Sequence, residues 1–87
     1  MDEKRDNGFV PVVVVDDHPI LAEGIRLLIQ EERDLGVVGS ARDAVSAMEV
    51  VERLRPRLAI VDISLKRGVS GIELIKMFKE KYPTLLV

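Results

Sequence analysis

Four residues of this chain combine types and spacing that could do chemistry on an anionic group. Asp16, Asp17 and His18 follow directly on Val12-Val13-Val14-Val15, and Asp62 follows on Leu58-Ala59-Ile60-Val61. Carboxylates close together repel one another, and their charged forms become tolerable when a hard divalent cation sits between them. Mg²⁺ suits oxygen ligands and keeps waters that a phosphate can replace. A carboxylate beside such an ion can itself attack phosphorus, because the metal offsets the charge gathering on the transferring group. Asp62, alone at the end of its apolar stretch, is the candidate nucleophile; the adjacent pair Asp16 and Asp17 is better suited to holding the metal. An isolated acid pair could equally serve the start of a helix, and the third carboxylate is what moves the reading to function. His18 is the one histidine of the chain. With no second His or Cys to pair with, it reads as a partly solvated helix-start residue rather than a base or ligand. Lys66 and Arg67 are candidate phosphate contacts, although two loop cations are more often solvated surface.

Both acid groups sit where an apolar run of strand type stops. The β-branched run that Pro11 opens and Val15 closes reads as a strand buried on both faces, and Leu58 to Val61 repeats the pattern. Between them, Pro19 fits the first turn of a helix running to about Glu32, with Leu21, Ile25, Leu28 and Ile29 on the face that packs on a sheet. Leu35 to Ala41 is a short strand whose Gly36 and Gly39 permit close helix approach. Asp43 caps a second helix that buries Ala44, Ala47, Met48, Val51 and Leu54 and stops before Pro56. Ser64 to Ser70 is a loop in which Gly68 and Gly71 supply unusual backbone angles. Ser70-x-x-Glu73 has capping-box spacing for a third helix with Leu74, Ile75 and Phe78 inward. Pro83 ends that helix, and Thr84 to Val87 begins a fourth strand. Alternating strands and helices predict an α/β fold with a parallel sheet covered on both faces, whose carboxyl edge is where ligands bind.

Eighty-seven residues, 47% hydrophobic and 32% charged, fit one domain with one core. The expected division is a mobile lead-in over 1–8 and a folded unit over 9–87. Thirteen basic and 15 acidic residues give a net charge of -2, which offers no cationic field for nucleic acid, so direct DNA contact by this segment is not expected. The absence of cysteine excludes disulfides and thiolate metal sites. No apolar run approaches the roughly 20 residues needed to span a bilayer, and the expected location is cytoplasmic, with no membrane partner.

Taken together, Val12 to Pro19, the Leu58 to Asp62 strand and Ser70-Gly71 before a helix resemble a bacterial two-component response-regulator receiver domain. The Asp-Asp-His-Pro form is similar to the subfamily whose receivers precede a helix-turn-helix output domain. The resemblance covers about Val10 to Val87. It implies a flavodoxin-like doubly wound sheet with strand order 2-1-3-4. It also implies Asp62 as phosphoacceptor, Asp16 and Asp17 as the acidic Mg²⁺ pair, and Ser64 as the residue whose backbone carbonyl completes the metal site. Two positions depart from the pattern: Lys66 stands where receivers usually carry a proline, and Gly71 arrives one residue late. The Ser or Thr ending strand four and the Lys ending strand five have no counterpart before Val87.

The first functional expectation is therefore a signalling module, not an enzyme acting on other molecules. It takes a phosphoryl group on Asp62 from the phosphohistidine of a sensor kinase, with Mg²⁺, and so controls an output domain, expected to bind DNA. The alternative is a pseudo-receiver that serves as an interaction module and is never phosphorylated. A metal-dependent phosphohydrolase ranks last, since no further acid/base pair is present. An open sheet edge and an under-covered first helix lead to a further expectation of self-association or strand exchange.

Overall fold

β1 (Val10–Val15) lies between β2 (Leu35–Ala41) and β3 (Leu58–Val61) in a parallel sheet of order β2-β1-β3. The computed structural model describes residues 9–66 and 68–87; the expected lead-in over 1–8 and the candidate Arg67 lie outside the described residues. Val12 to Val15 are paired on both sides and fully buried. This is what a run of β-branched residues without polar alternation implies. Successive side chains face opposite ways: Val13 and Val15 join the main core, and Val14 faces the other side of the sheet near Pro19 and Ala22.

α1 (Pro19–Gln30) covers that second face, packing on β1 and β2, while α2 (Ala44–Leu54) packs on the same two strands from the first face and touches α3 (Gly71–Lys81). The core between α2, α3 and the sheet is built from Ala47, Val50, Val51, Ala59, Leu74 and Phe78. Gly39 leaves the room for α2: a Cβ there would stand 2.7 Å from Leu54 Cδ1. Tyr82, buried just after α3, donates its hydroxyl to Glu52 Oε1 on α2, and the Arg55 guanidinium lies 5.2 Å from its ring centroid.

Local capping follows the sequence. Asp43 Oδ1 accepts from Ser46 N–H at 2.9 Å, and Ser70 Oγ accepts from Glu73 N–H at 3.2 Å, each with the reciprocal contact of a capping box. The expected fourth strand begins beside β3. The Leu86 N–H donates to the Arg57 carbonyl at 3.0 Å and the Leu86 carbonyl accepts from Ala59 N–H at 2.8 Å, a single parallel bridge between Leu58 and Leu86 at the position expected of a fourth strand, while the sheet itself has the order 2-1-3.

Four details differ from expectation. α1 ends at Gln30 rather than Glu32, because the N–H groups of Glu31 and Glu32 turn onto the carbonyls of Leu28 and Ile29, three residues back; such tightening closes a helix. Its packed stripe is Ala22, Ile25 and Ile29; Leu21 and Leu28 are exposed, as are Ile20 (89%) and Leu27. These four form a second apolar face directed away from the sheet. The β1–β2 register shifts between Val12 and Val13 so that Val38 is passed over, a bulge that the alternation of residue types does not reveal. Finally, Gly68 has φ +65°, but Gly71 is not in the left-handed region. Glycine at 71 supplies space instead: a Cβ would lie 2.1 Å from the Asp62 carbonyl oxygen and 2.5 Å from Ile63 Cα.

Candidate acid site at the carboxyl edge of the sheet

The strand ladder runs one residue beyond the strands and places the acids. Asp16 N–H donates to the Ala41 carbonyl at 3.0 Å, and Asp62 N–H donates to the Val15 carbonyl at 2.9 Å. Because Val15 and Val61 are register partners, Asp16 and Asp62 leave adjacent strands at the same level. Asp16, Asp17, His18 and Asp62 each offer one ligand atom, and these four atoms lie within 4.8 Å of one another.

Each carboxylate is held through one oxygen by a backbone N–H. Asp16 Oδ1 accepts from His18 N–H at 2.8 Å, and Asp62 Oδ1 accepts from Ser64 N–H at 2.9 Å, with Ser64 Oγ adding a second donor at 2.8 Å. Asp17 Oδ2 accepts from Lys66 N–H at 3.3 Å. Lys66 occupies the position at which the resemblance calls for proline, and a proline has no N–H to give. The opposite oxygens of two acids, Asp17 Oδ1 and Asp62 Oδ2, are buried; the His18 imidazole nitrogen stands 2.9 Å from the first, and the second has no hydrogen-bond partner among the described residues. A buried, unpaired anionic oxygen is costly unless a cation faces it.

The Asp62 carboxyl is held below the ordinary carboxylate range. The Ser64 N–H is the main cause and the Ser64 hydroxyl the second; burial opposes them, and the His18 and Lys66 charges add to the lowering. The nucleophile candidate is therefore ionised throughout the neutral range.

Asp16, Asp17 and Asp62 converge as the spacing implied, and Ser64 reaches the cluster through its N–H and hydroxyl. His18, read from sequence as a solvated helix-start residue, is part of it. Its Nδ1 lies 3.0 Å from Asp16 Oδ1, 2.9 Å from Asp17 Oδ1 and 3.7 Å from Asp62 Oδ2, with the side chain half exposed. The only sequence signal for this was adjacency to the acid pair. The approach to Asp62 depends on strand pairing between residues 46 positions apart. Beside the cluster opens a cleft of about 650 Å³, lined by Asp17, Ser40, Arg42, Asp43, Ser46 and Lys66. It puts one candidate phosphate contact, Lys66, next to the acids.

A doubly wound parallel sheet carrying three carboxylates at the carboxyl ends of neighbouring strands defines a flavodoxin-like domain with an acidic pocket at its ligand edge. More narrowly, the chain belongs to the response regulator receiver domain family, whose profile matches residues 12–87. It is 35% identical over 78 residues to the transcriptional regulatory protein BtsR of Salmonella typhi, covering 90% of this chain and 32% of that protein. A LuxR-family two-component response regulator from Aurantimonas sp. SI85-9A1 superposes with TM-score 0.80 at 32% identity, over 86% of this chain and 53% of the other. RcsB from Salmonella enterica serovar Typhimurium, solved on promoter DNA in the presence of phosphomimetic BeF3-, gives TM-score 0.80 at 32% identity, over 87% of this chain and 38% of the other. The chain thus spans about a third of the length of the curated relatives it matches. Among the described residues no helix is long and apolar enough to cross a membrane.

Proposed function

We propose that this chain is a phosphoacceptor module of two-component signalling, in which Asp62 takes a phosphoryl group from a histidine-kinase phosphohistidine. The observation that carries the reading is the division of labour within the Asp62 carboxylate. Oδ1 is fixed by two Ser64 donors, while Oδ2 is buried, unpartnered and turned toward the other acids. In the transfer, Asp62 Oδ2 forms the new bond to phosphorus as the bond from phosphorus to imidazole nitrogen breaks. The electron pair of that bond returns to the departing imidazole, which is reprotonated from solvent. The open cleft beside Asp17 and Lys66 admits the donor, and the Lys66 side chain brings a cation toward the arriving phosphoryl oxygens.

The donor set fits Mg²⁺: Asp16, Asp17 and Asp62 supply hard oxygens, one of which, Asp62 Oδ2, is buried and without a hydrogen-bond partner among the described residues. By the family resemblance the Ser64 carbonyl adds a further oxygen. When bound, Mg²⁺ would offset the negative charge that gathers between carboxylate and phosphoryl group. The matched relatives are named as regulatory proteins. The proposed output is accordingly a shift between two states of a surface that controls a DNA-binding domain, in the cytoplasm.

Incubation with Mg²⁺ and a small acyl phosphate, read by intact mass, tests the reading. One base-labile phosphoryl adduct is expected on the wild type and none on Asp62→Asn. Equal behaviour of the two proteins would overturn it and leave a non-phosphorylated interaction module as the better description.

A further inference from the structure

We propose that His18 is a fourth ligand of the acid site, and that it shifts the site's preference from Mg²⁺ toward borderline divalent ions such as Mn²⁺, Co²⁺ and Zn²⁺. This rests on the reading above, that the acid cluster holds a cation. Adjacent ligands on an octahedral ion with bonds of about 2.1 Å stand about 3.0 Å apart, and opposite ones about 4.2 Å. His18 Nδ1 lies 3.0 Å and 2.9 Å from the Asp16 and Asp17 oxygens and 3.7 Å from Asp62 Oδ2. The first two are hydrogen-bond lengths as well as the length of a shared coordination edge, so an incoming ion would take the place of the ring proton in these contacts; the third falls between edge and diagonal. The nitrogen therefore already stands where a ligand would, and a small ring movement completes the arrangement.

The backbone explains why the ring points inward. His18 is the N-cap of α1, with extended dihedrals (φ -109°, ψ 103°), yet its side chain makes no capping bond to the helix. The His18 N–H is tied to Asp16 Oδ1, which leaves the ring over the carboxylates rather than over the helix. Half of the side chain is exposed, so a metal-bound Nδ1 leaves the ring proton on Nε2, where water can accept it.

Ligand chemistry supplies the selectivity. Three carboxylates alone are a hard oxygen set that suits Mg²⁺; one imidazole nitrogen adds a donor that Mg²⁺ uses poorly and that Mn²⁺ to Zn²⁺ accept readily. One of the oxygens that would share the ion, Asp62 Oδ2, is buried without a hydrogen-bond partner among the described residues, and a second, Asp17 Oδ1, is buried against the His18 ring nitrogen. The cluster is thus more than surface acids lying close together.

The test is calorimetric titration of the whole chain with Mg²⁺ and separately with Co²⁺, for the wild type and His18→Gln, with metal-free melting curves to confirm folding. Glutamine keeps a side chain of similar reach but offers a hard amide oxygen. The expected result is about a tenfold or greater loss of Co²⁺ affinity in His18→Gln, larger than the accompanying change in Mg²⁺ affinity, so that the Co²⁺ to Mg²⁺ affinity ratio falls. A second measurement needs no variant: the chain has a single histidine, so a paramagnetically shifted imidazole N–H signal in the Co²⁺-bound wild type must come from His18. An unchanged Co²⁺ to Mg²⁺ affinity ratio together with an unshifted imidazole overturns the role of His18 and leaves the carboxylate site standing. Failure of the wild type to bind either ion overturns both this inference and the metal-assisted reading.

Discussion

Replacing Gly71 with alanine tests whether helix packing and the position of Asp62 are one mechanical unit. The added Cβ would fall 2.5 Å from Ile63 Cα and 2.1 Å from the Asp62 carbonyl oxygen. Carbon atoms in favourable contact lie about 3.5 Å or more apart. The start of α3 and the Asp62–Ile63 backbone must therefore separate by about 1 Å. Both neighbours are backbone, so no rotamer change relieves the overlap. Overpacking of this kind costs about 1–3 kcal/mol, offset by about 0.4–1 kcal/mol from the reduced freedom of the unfolded chain. The net expectation is a loss of about 1–2 kcal/mol. At this chain length each kcal/mol lowers the melting midpoint by about 4–8 °C. A 1 Å displacement of a reacting group can cost about 10²-fold in rate, so phosphoryl uptake from an acyl phosphate should slow far more than stability alone explains. Urea unfolding followed by circular dichroism gives the first quantity, and time-resolved intact mass gives the second. Gly24→Ala is the control. Nothing lies within 4 Å of its Cβ position in the middle of α1, and it should gain about 0.5–1 kcal/mol. Wild-type stability and uptake in Gly71→Ala would refute the reasoning.

Three further outcomes are expected. Phe78→Ala removes a fully buried ring between α3 and the sheet and should cost about 3–5 kcal/mol, enough for a domain of this size to lose its cooperative thermal transition at room temperature. Ser64→Ala removes the second of the donors that hold the Asp62 carboxyl low but keeps the larger contribution, the backbone N–H. Carboxyl-carbon NMR titration should show a partial rise toward the ordinary value. Because the folded value is depressed, ionised Asp62 contributes stability above the ordinary carboxylate range, and this is lost as pH falls through the folded value; the variant should lose it at higher pH than the wild type. Leu28→Gln, on the face of α1 where Leu28 is 69% exposed, should reduce self-association in sedimentation velocity with little change in melting midpoint; equal sedimentation of both proteins would remove that face as the cause.

The fold was legible because local signals agreed with one another. A valine run with no polar alternation requires a strand covered on both faces, and Val12 to Val15 have that burial. Ser70 and Glu73 pair as their spacing implies, and the convergence of Asp16 and Asp62 follows once β1 and β3 are neighbours. What could not be read depends on geometry that spacing does not encode. The inward turn of His18 comes from its ring nitrogen lying against the Asp16 and Asp17 carboxylates instead of capping α1. The Lys66 donor to Asp17 joins residues 49 positions apart in sequence, and a residue type chosen for its side chain gave no hint that its backbone would matter. The bulge at Val38 sits in a strand whose residues are nearly all half-buried, so no pattern of inside and outside marked the slip. On α1 the spacing put Leu21, Ile25, Leu28 and Ile29 on one packed face, and of these the sheet covers only Ile25 and Ile29.

The same geometry explains why the acids can be held close without collapsing onto one another or drifting into solvent. Their anchors are main-chain groups: the N–H of His18 for Asp16, of Ser64 for Asp62 and of Lys66 for Asp17. Side-chain substitution leaves such donors in place, and only proline deletes them. Each anchor takes one oxygen and so sets where the other points. Asp62 keeps its second oxygen buried and without a hydrogen-bond partner among the described residues. In the proposed transfer that is the oxygen needed, since a carboxylate bonded through both oxygens would have to break a contact before attacking phosphorus. The strand ladder beneath fixes the separation, because Asp16 and Asp62 are tied by their own N–H groups to Ala41 and Val15. The buried valines of β1 therefore hold the reacting geometry as well as the fold, and a change at Val15 should be felt at Asp62 before it is felt at either end of the chain.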